Sequence, residues 1–306
     1  MKKIIRKILE KIGYRINSIK KNQYCDVGKL EKASIYIERY REIVSDPLNL
    51  VIKRVPEAGY IDKNGYVILH NGHRVPVYGE LAYYSEFSDI LIINRGVHEP
   101  LEEFCFQAVL KKIKKQNPKM LELGAYWAHY SMWLLKEFPA AECYLVEPDK
   151  KNIECGRNNF NINGFKGEFI QDFVGSIGFK LDKFIDERKI EKLEILHSDI
   201  QGYELEMIDG GADTLKNHKV DYVFISTHSN SLHELVEKNL VSYGYVVEVS
   251  SGEHHTTSGD GFILAHSPNV TPVFDGFFPL GRVQIAKSNP KELLNSLVSL
   301  GPEYIV

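Results

Sequence analysis

The 306-residue sequence has few cysteines, no long apolar run and no internal repeat. Cys25, Cys105, Cys143 and Cys155 are scattered, with no C-x-x-C pair and no histidine at zinc-finger spacing. This excludes a disulfide framework and a finger-type structural zinc site, and leaves reduced, mostly buried thiols as the expectation. No apolar stretch approaches the roughly 18–20 residues of a membrane span. The start also lacks the apolar stretch and small-residue cleavage site of a signal peptide, so a cytoplasmic protein is expected. Disorder and collagen-like repetition are excluded by 43% hydrophobic and 26% charged content, which suffices for one sizeable core.

A strong net charge is lacking too, but the value of −3 hides an asymmetry. Residues 1–21 carry +7 and the remainder −10. An acidic body argues against a broad nucleic-acid surface. In the basic start, Ile5, Ile8, Ile12, Ile16 and Ile19 recur at helical spacing. A basic amphipathic helix, interrupted near Gly13, follows; it either attaches peripherally to an anionic membrane surface at the inner membrane face or packs on the body.

Short strand-like runs at Tyr66–His70 and His73–Tyr78 flank the turn signal Asn71-Gly72, and Pro100 opens a helical run through Leu110 and Ile113. Beyond Pro118, apolar strand runs alternate with helical segments. Strands are expected at 119–124, 143–148, 167–171, 193–199, 220–226, 245–250 and 261–266, the first five each followed by a helix. The last two are joined by a loop too short for a crossover helix, Ser251 to Asp260, and should pair antiparallel at one edge. The fold class is therefore α/β: a Rossmann-like, mainly parallel seven-stranded sheet with a C-terminal antiparallel hairpin, plus a small N-terminal β-containing subdomain. The expected divisions are 1–21 (basic helix), 22–98 (accessory subdomain), 99–267 (main domain) and 268–306 (tail). The tail has a short helix at 291–300 and either packs back or mediates an oligomer.

The main local signal is the run from Met120 to Ser131, which holds Glu122, Gly124, Ala125, Tyr126, Trp127 and Ser131: a strand, an acid, a glycine turn and a helix. Such a turn lets a ligand approach the backbone at a helix N-terminus. Glu147-Pro148 ends the next strand about 20 residues on, where a carboxylate can accept both ribose hydroxyls. Asp172, closing the third strand, is suited equally to an adenine amino group and to capping a turn. The fingerprint G-x-G-x-x-G is missing, and Tyr126 and Trp127 would crowd a pyrophosphate, so a phosphate-free ligand fits better. S-adenosylmethionine is the cofactor of that kind, with Glu122 placed to meet its ammonium.

Asp199 to Glu204 and Thr227-His228-Ser229 end the fourth and fifth strands on the same face. They should border an acceptor pocket, with His228 as base and Asp199 orienting it, positioning the acceptor or holding a divalent cation. No dense metal motif such as H-E-x-x-H is present, so no metal ligands are assigned. His233, His254, His255 and Asp260 join this neighbourhood only if the hairpin loop folds over it; a polar lid is the simpler reading of that loop.

Taken together, Glu122-Leu123-Gly124 with Ser131, Glu147-Pro148, Asn159, Asn161, Asp199-Ile200-Gln201-Gly202-Tyr203-Glu204 and Thr227-His228-Ser229 resemble the FkbM family of S-adenosylmethionine-dependent methyltransferases. The likeness covers about residues 99–266. It implies O-methylation of a hydroxyl on a sugar, glycan or related metabolite. Ala128 stands where many relatives carry a second loop glycine, and Gln201 where many carry glutamate. Rival readings are a nicotinamide-dependent sugar oxidoreductase and a non-catalytic, membrane-recruited scaffold that retains a degenerate cofactor fold.

Overall fold

The computed structural model describes residues 27–84 and 87–300, with side chains from Tyr36 onward. The expected basic helix at 1–21 and Cys25 lie outside the described residues. The chain divides into two compact units, 1–38 and 39–306. The described part of the first is the leading portion of helix α1 (Val27–Ser45).

Asn71-Gly72 turns the chain between β1 (Tyr66–Ile68) and β2 (Arg74–Pro76), which pair antiparallel with Val67 opposite Val75. Gly72 takes φ +90, which a glycine tolerates, and the Asn71 side chain accepts the His73 N–H at 3.2 Å. After the short α2 (Ile90–Ile93), Pro100 starts α3 (Pro100–Leu110), all of whose residues are buried. The helix stops before the expected Ile113. From Lys111 the chain tightens into turns, with Lys111 N–H on the Ala108 carbonyl, as the lysine-rich run leaves the interior.

The βα alternation then unfolds as β3 (Lys119–Leu123), α4 (His129–Glu137), β4 (Glu142–Val146), α5 (Lys150–Asn163), β5 (Glu168–Ile170), α6 (Leu181–Arg188), β6 (Leu193–Ser198), α7 (Glu204–Gly210), α8 (Ala212–Lys216), β7 (Val220–Thr227), α9 (Asn230–Ser242), β8 (Val246–Ser251) and β9 (Gly261–His266). The sheet order is β5-β4-β3-β6-β7-β9-β8. Strands β3 to β7 are parallel, while β9 runs antiparallel to both β7 and β8. The expected Rossmann-like architecture, with its edge hairpin, is what the chain forms.

Strand alternation splits the core. Leu121, Leu123, Val223, Ile225 and Ile263 pack with α6, α7 and α9 on one face. On the other, Phe106 of α3 meets Trp133 of α4 and Phe224 of β7. Each such fully buried side chain contributes about 1.5–3 kcal/mol relative to exposure.

The Ser251–Asp260 segment is fastened down more than a polar lid would be. Thr256, Thr257 and Ser258 are buried. The Thr257 hydroxyl donates to Asp46 at 2.7 Å, and Arg39 Nε donates to the Ser258 carbonyl at 3.1 Å. The tail forms α10 (Arg282–Lys287), which the sequence reading did not anticipate, and α11 (Pro290–Val298), capped by Asn289 and Glu292. It packs back through Phe274, whose ring stacks 5.6 Å from that of Phe104. Among the described residues no helix is long and apolar enough to cross a membrane. Cys105, Cys143 and Cys155 are free and buried.

Candidate functional site

The chain reverses its winding direction between β5 and β6, so the exits of β3 and β6 flank the point where open α/β sheets bind ligands. Gly124, just past β3, has φ +71. Its N–H and that of Ala125 donate to the Val146 carbonyl at 2.9 and 3.0 Å. A Cβ at Gly124 would stand 1.7 Å from the Asp199 carbonyl oxygen, so any side chain would drive the two strand exits apart. The turn continues through Tyr126 (φ 38) to Ala128 (φ 63, ψ 37), which precedes α4. The position where many relatives carry glycine is thus left-handed here as well.

Two carboxylates hold this turn. Glu122, 3% exposed in β3, accepts the Ser131 N–H at 3.1 Å and also the Ser131 hydroxyl. Burial raises its pKa against the lowering effect of Ser131, and the first turn of α4 is a favourable place for negative charge. Glu147, just past β4, accepts the Tyr126 N–H through Oε2 at 3.1 Å and the Asp149 N–H through Oε1 at 2.9 Å. Burial raises its pKa too. Oε1 also accepts a long hydrogen bond from Asn152 Nδ2 at 3.5 Å, which a ligand hydroxyl could displace, while Oε2 retains a second lone pair.

The remaining loop positions act differently from one another. Trp127 is buried between Tyr83 and His129, with ring centroids 4.5 and 4.9 Å away, and its carbonyl accepts Asn159 Nδ2 at 2.9 Å. Its indole is core, and only its backbone belongs to the turn. The Tyr126 hydroxyl accepts the Tyr84 N–H at 2.9 Å and donates to the Ala82 carbonyl at 3.3 Å, fastening residues 82–84. Pro148 is exposed, and its carbonyl accepts Gln171 Nε2 at 3.3 Å. Asp172 accepts the N–H of the adjacent Phe173 at 2.8 Å.

The ends of β6 and β7 bring His228 and Asp199 together as the sequence pattern implies. His228 Nε2 is 3.2 Å from Asp199 Oδ1, and its Nδ1 is 2.8 Å from Glu204 Oε1. Burial alone would pull the His228 pKa down, but Asp199 and Glu204 outweigh it and push it up to about 10. Asp199 moves the other way: burial would raise its pKa, yet His228 holds it below the usual range. Gln201 Nε2 donates to Asp199 at 3.0 Å and lies 2.8 Å from His228 Nε2. His228 does not cap α9; Ser229 does, accepting the Leu232 N–H at 3.2 Å.

Two further members of this cluster, both placed in its neighbourhood by the sequence, carried no role of their own there. Glu204 is fully buried at the start of α7, five residues beyond Asp199, a spacing that spans the strand exit and the helix start. Asp260 Oδ1 comes within 3.8 Å of His228 Nε2, so this part of the hairpin loop does reach the pocket. Burial, with Glu99 and Asp199 nearby, pushes the Asp260 pKa up to about 6. His233 and His255 stay apart. His233 contacts the Thr227 and Ser250 hydroxyls at 2.8 and 2.9 Å, and His255 contacts the Ser251 hydroxyl at 3.1 Å.

This constellation lies largely within one stretch of chain, α6 to the start of β8. Residues 177–247 match the methyltransferase FkbM domain. The match supports an FkbM-family methyltransferase, and it contains Asp199, Glu204 and His228, whereas the Gly124 turn and Glu147 precede it. No curated protein matches the sequence. Solved structures similar to the FkbM-like chain include precorrin-6y C5,15-methyltransferase from Geobacter metallireducens GS-15, with 15% identity over 53% of this chain and 87% of that one, TM-score 0.40. TrmK from M. capricolum in complex with S-adenosyl-homocysteine is another, with 13% identity over 64% of this chain and 81% of that one, TM-score 0.38.

Proposed function

We propose that the protein is an S-adenosylmethionine-dependent O-methyltransferase acting on a hydroxyl of a sugar, glycan or related metabolite. The observation that carries this reading is the pairing of a carboxylate-gripped glycine turn at the β3 and β4 exits with the Asp199–His228–Glu204 cluster at the β6 and β7 exits. When bound, the cofactor supplies a methyl carbon on a positively charged sulfur. Glu147 is suited to the ribose diol, because a buried carboxylate already oriented by two backbone N–H groups loses little freedom on accepting two hydroxyls. Glu122, at the first turn of α4, supplies negative charge that favours a cationic ligand over a pyrophosphate.

At the acceptor end, His228 carries its proton at neutral pH and is held by carboxylates at both ring nitrogens. In this reading Asp199, in place of the His228 expected from the sequence, takes the hydroxyl proton as methyl transfer proceeds, and His228 fixes the orientation of the Asp199 carboxylate. The three carboxylates Asp199, Glu204 and Asp260 disfavour a phosphate-bearing acceptor. Tyr84 and Tyr203, 51% and 41% exposed, offer aromatic faces of the kind on which sugar rings rest. Residues before the sheet, which contribute Tyr84, are the proposed source of acceptor specificity. Peripheral membrane attachment through residues 1–21 remains part of the proposal, tested by liposome binding of a chain lacking them.

Isothermal titration with S-adenosylhomocysteine and with NAD tests the cofactor. Binding of the first alone is expected; binding of NAD alone would establish an oxidoreductase, and binding of neither a scaffold. Mass spectrometry of surface polysaccharide from cells with and without the gene then tests the acceptor, with a loss of 14 Da per modified sugar expected on deletion, about the mass of one CH2 group.

A further inference from the structure

Below the ligand turn, and outside the groups assigned above, the fold brings histidines from separate elements into one dry pocket. His70 follows β1, His98 precedes α3, Glu103 lies in the first turn of α3, and His129 opens α4. None is more than 2% exposed. One donor atom each from His70, Glu103 and His129 lies within 4.8 Å of the other two. Nε2 of His70 and Oε2 of Glu103 are 2.9 Å apart, yet neither atom has a partner in hydrogen-bond geometry. Both ring nitrogens of His129 also lack a hydrogen-bond partner. Its ring stacks on Trp127 and meets His70 and His98 edge-on, at centroid distances of 5.7 and 5.2 Å. A buried polar group left unsatisfied costs about 1–3 kcal/mol, and here several converge on one point.

We propose that His70, Glu103 and His129 together bind one divalent transition-metal ion of the zinc class. Two imidazoles and one carboxylate are a donor set suited to zinc, whose ligands sit about 2.0–2.2 Å from the ion. In a tetrahedral shell such ligands stand about 3.4 Å from one another, a spacing reached from the present one by small ring rotations. His98 serves as the outer partner: its Nδ1 is 2.6 Å from the other Glu103 oxygen and its Nε2 is 3.1 Å from Glu99. Such a partner orients a metal-bound carboxylate. Because His129 directly follows Ala128, the ion would tie the start of α4 to the N-terminal hairpin and to α3, beneath the turn that faces the ligand.

The test uses the full-length chain, freed of any histidine tag. Elemental analysis is expected to find one zinc per chain. Removing it with a chelator should lower Tm by several degrees, and zinc chloride should restore it. His129→Gln and His70→Gln should each retain less than a tenth of the metal, while His228→Asn, in the separate cluster, should retain all of it. X-ray absorption at the zinc edge of the unaltered chain should show two imidazoles in the ligand shell. A chain whose Tm ignores zinc chloride would overturn the proposal, as would zinc that persists in both glutamine variants or leaves with His228→Asn. If the variants do not fold, a shell without two imidazoles in the unaltered chain decides against it.

Discussion

Nε2 of His228 and Oδ1 of Asp199 lie 3.2 Å apart, and the same imidazole is held 2.8 Å from Glu204 on its other side. With a pKa near 10 the ring already carries the proton that a base would have to accept, so the vacant proton site is on Asp199. Asp199→Asn is therefore expected to lower kcat by about 10²–10⁴-fold. His228→Asn should lower it less, by about 10–100-fold, and both should leave S-adenosylhomocysteine affinity within a few-fold of the unaltered chain. The kcat profile should be flat from pH 6 to 9 and fall only at acid pH, as Asp199 protonates. A rising limb near pH 10 would return the base role to the histidine ring. Stability offers an independent check. A histidine whose pKa is raised by folding stabilises fully below its unfolded value of about 6.5, and this contribution fades as pH rises through about 10. Urea denaturation of His228→Asn should show a deficit at pH 6 that closes by pH 10.5.

The Glu147 carboxylate answers a different question, since it contacts the ligand turn and not the acceptor cluster. Two hydroxyl–carboxylate hydrogen bonds at about 1.5–3 kcal/mol each predict that Glu147→Ala weakens S-adenosylhomocysteine binding by at least about 100-fold. The variant also leaves the Tyr126 and Asp149 N–H groups without their acceptor, so a modest fall in Tm accompanies the loss. Calorimetric titration of the folded variant checks this. Undiminished affinity would remove Glu147 from the binding site.

Much of the architecture was legible because its causes are local. The β7 strand reads as a strand through its continuous run Tyr222 to Ile225, apolar on successive residues because the strand is buried on both faces. The Asn71-Gly72 turn and the Gly124 turn announce themselves through residues that tolerate positive φ. The candidate site was legible only where function rests on a strand end, as at Glu147, Asp199 and His228. Glu204 belonged to the expected motif but drew no role of its own, because its contact with His228 joins positions 24 residues apart, and Asp260 was legible only on condition of loop closure, a tertiary event. The His70–Glu103–His129 convergence had no local pattern to find: its members are 33 and 26 residues apart, and packing alone brings them together. Trp127 shows the converse. It sits in the sequence of the turn, but its side chain belongs to the core.

Ala128 occupies a left-handed conformation at φ 63 and is fully buried. Replacing it with glycine relieves about 1–2 kcal/mol of backbone strain. The same change forfeits about 0.8 kcal/mol for the buried methyl and about 0.5–1 kcal/mol through the freer unfolded chain. Ala128→Gly should therefore match the unaltered chain within about 1 kcal/mol. Ala128→Val combines a β-branched residue at positive φ with overpacking and should cost about 3 kcal/mol or more. Urea denaturation separates the two variants, and a valine variant as stable as the unaltered chain would refute the assigned backbone conformation.

Asp46 joins the N-terminal part of the second unit to the hairpin loop, and it does so at an electrostatic cost. It is 5% exposed; Oδ1 accepts the Leu48 N–H at 2.9 Å and Oδ2 accepts the Thr257 hydroxyl at 2.7 Å. Burial outweighs these two hydrogen bonds and pushes its pKa up to about 6, against about 3.9 in an unfolded chain. Between those values the folded chain holds a proton that the unfolded chain has lost, so this group's contribution to stability falls as pH rises from about 4 through 6. The total is on the order of 3 kcal/mol by linkage. Asp46→Asn keeps an oxygen for the Leu48 N–H, and the Thr257 hydroxyl can rotate to accept from the amide, while nothing ionises. The variant should lie within about 1 kcal/mol of the unaltered chain at pH 4.5 and exceed it by about 2 kcal/mol at pH 7.5. Paired urea titrations at the two pH values measure this difference, with other titrating groups cancelling between the chains. An advantage that shrinks with rising pH would mean that Asp46 is ionised throughout and that Thr257 and Leu48 stabilise its charged form.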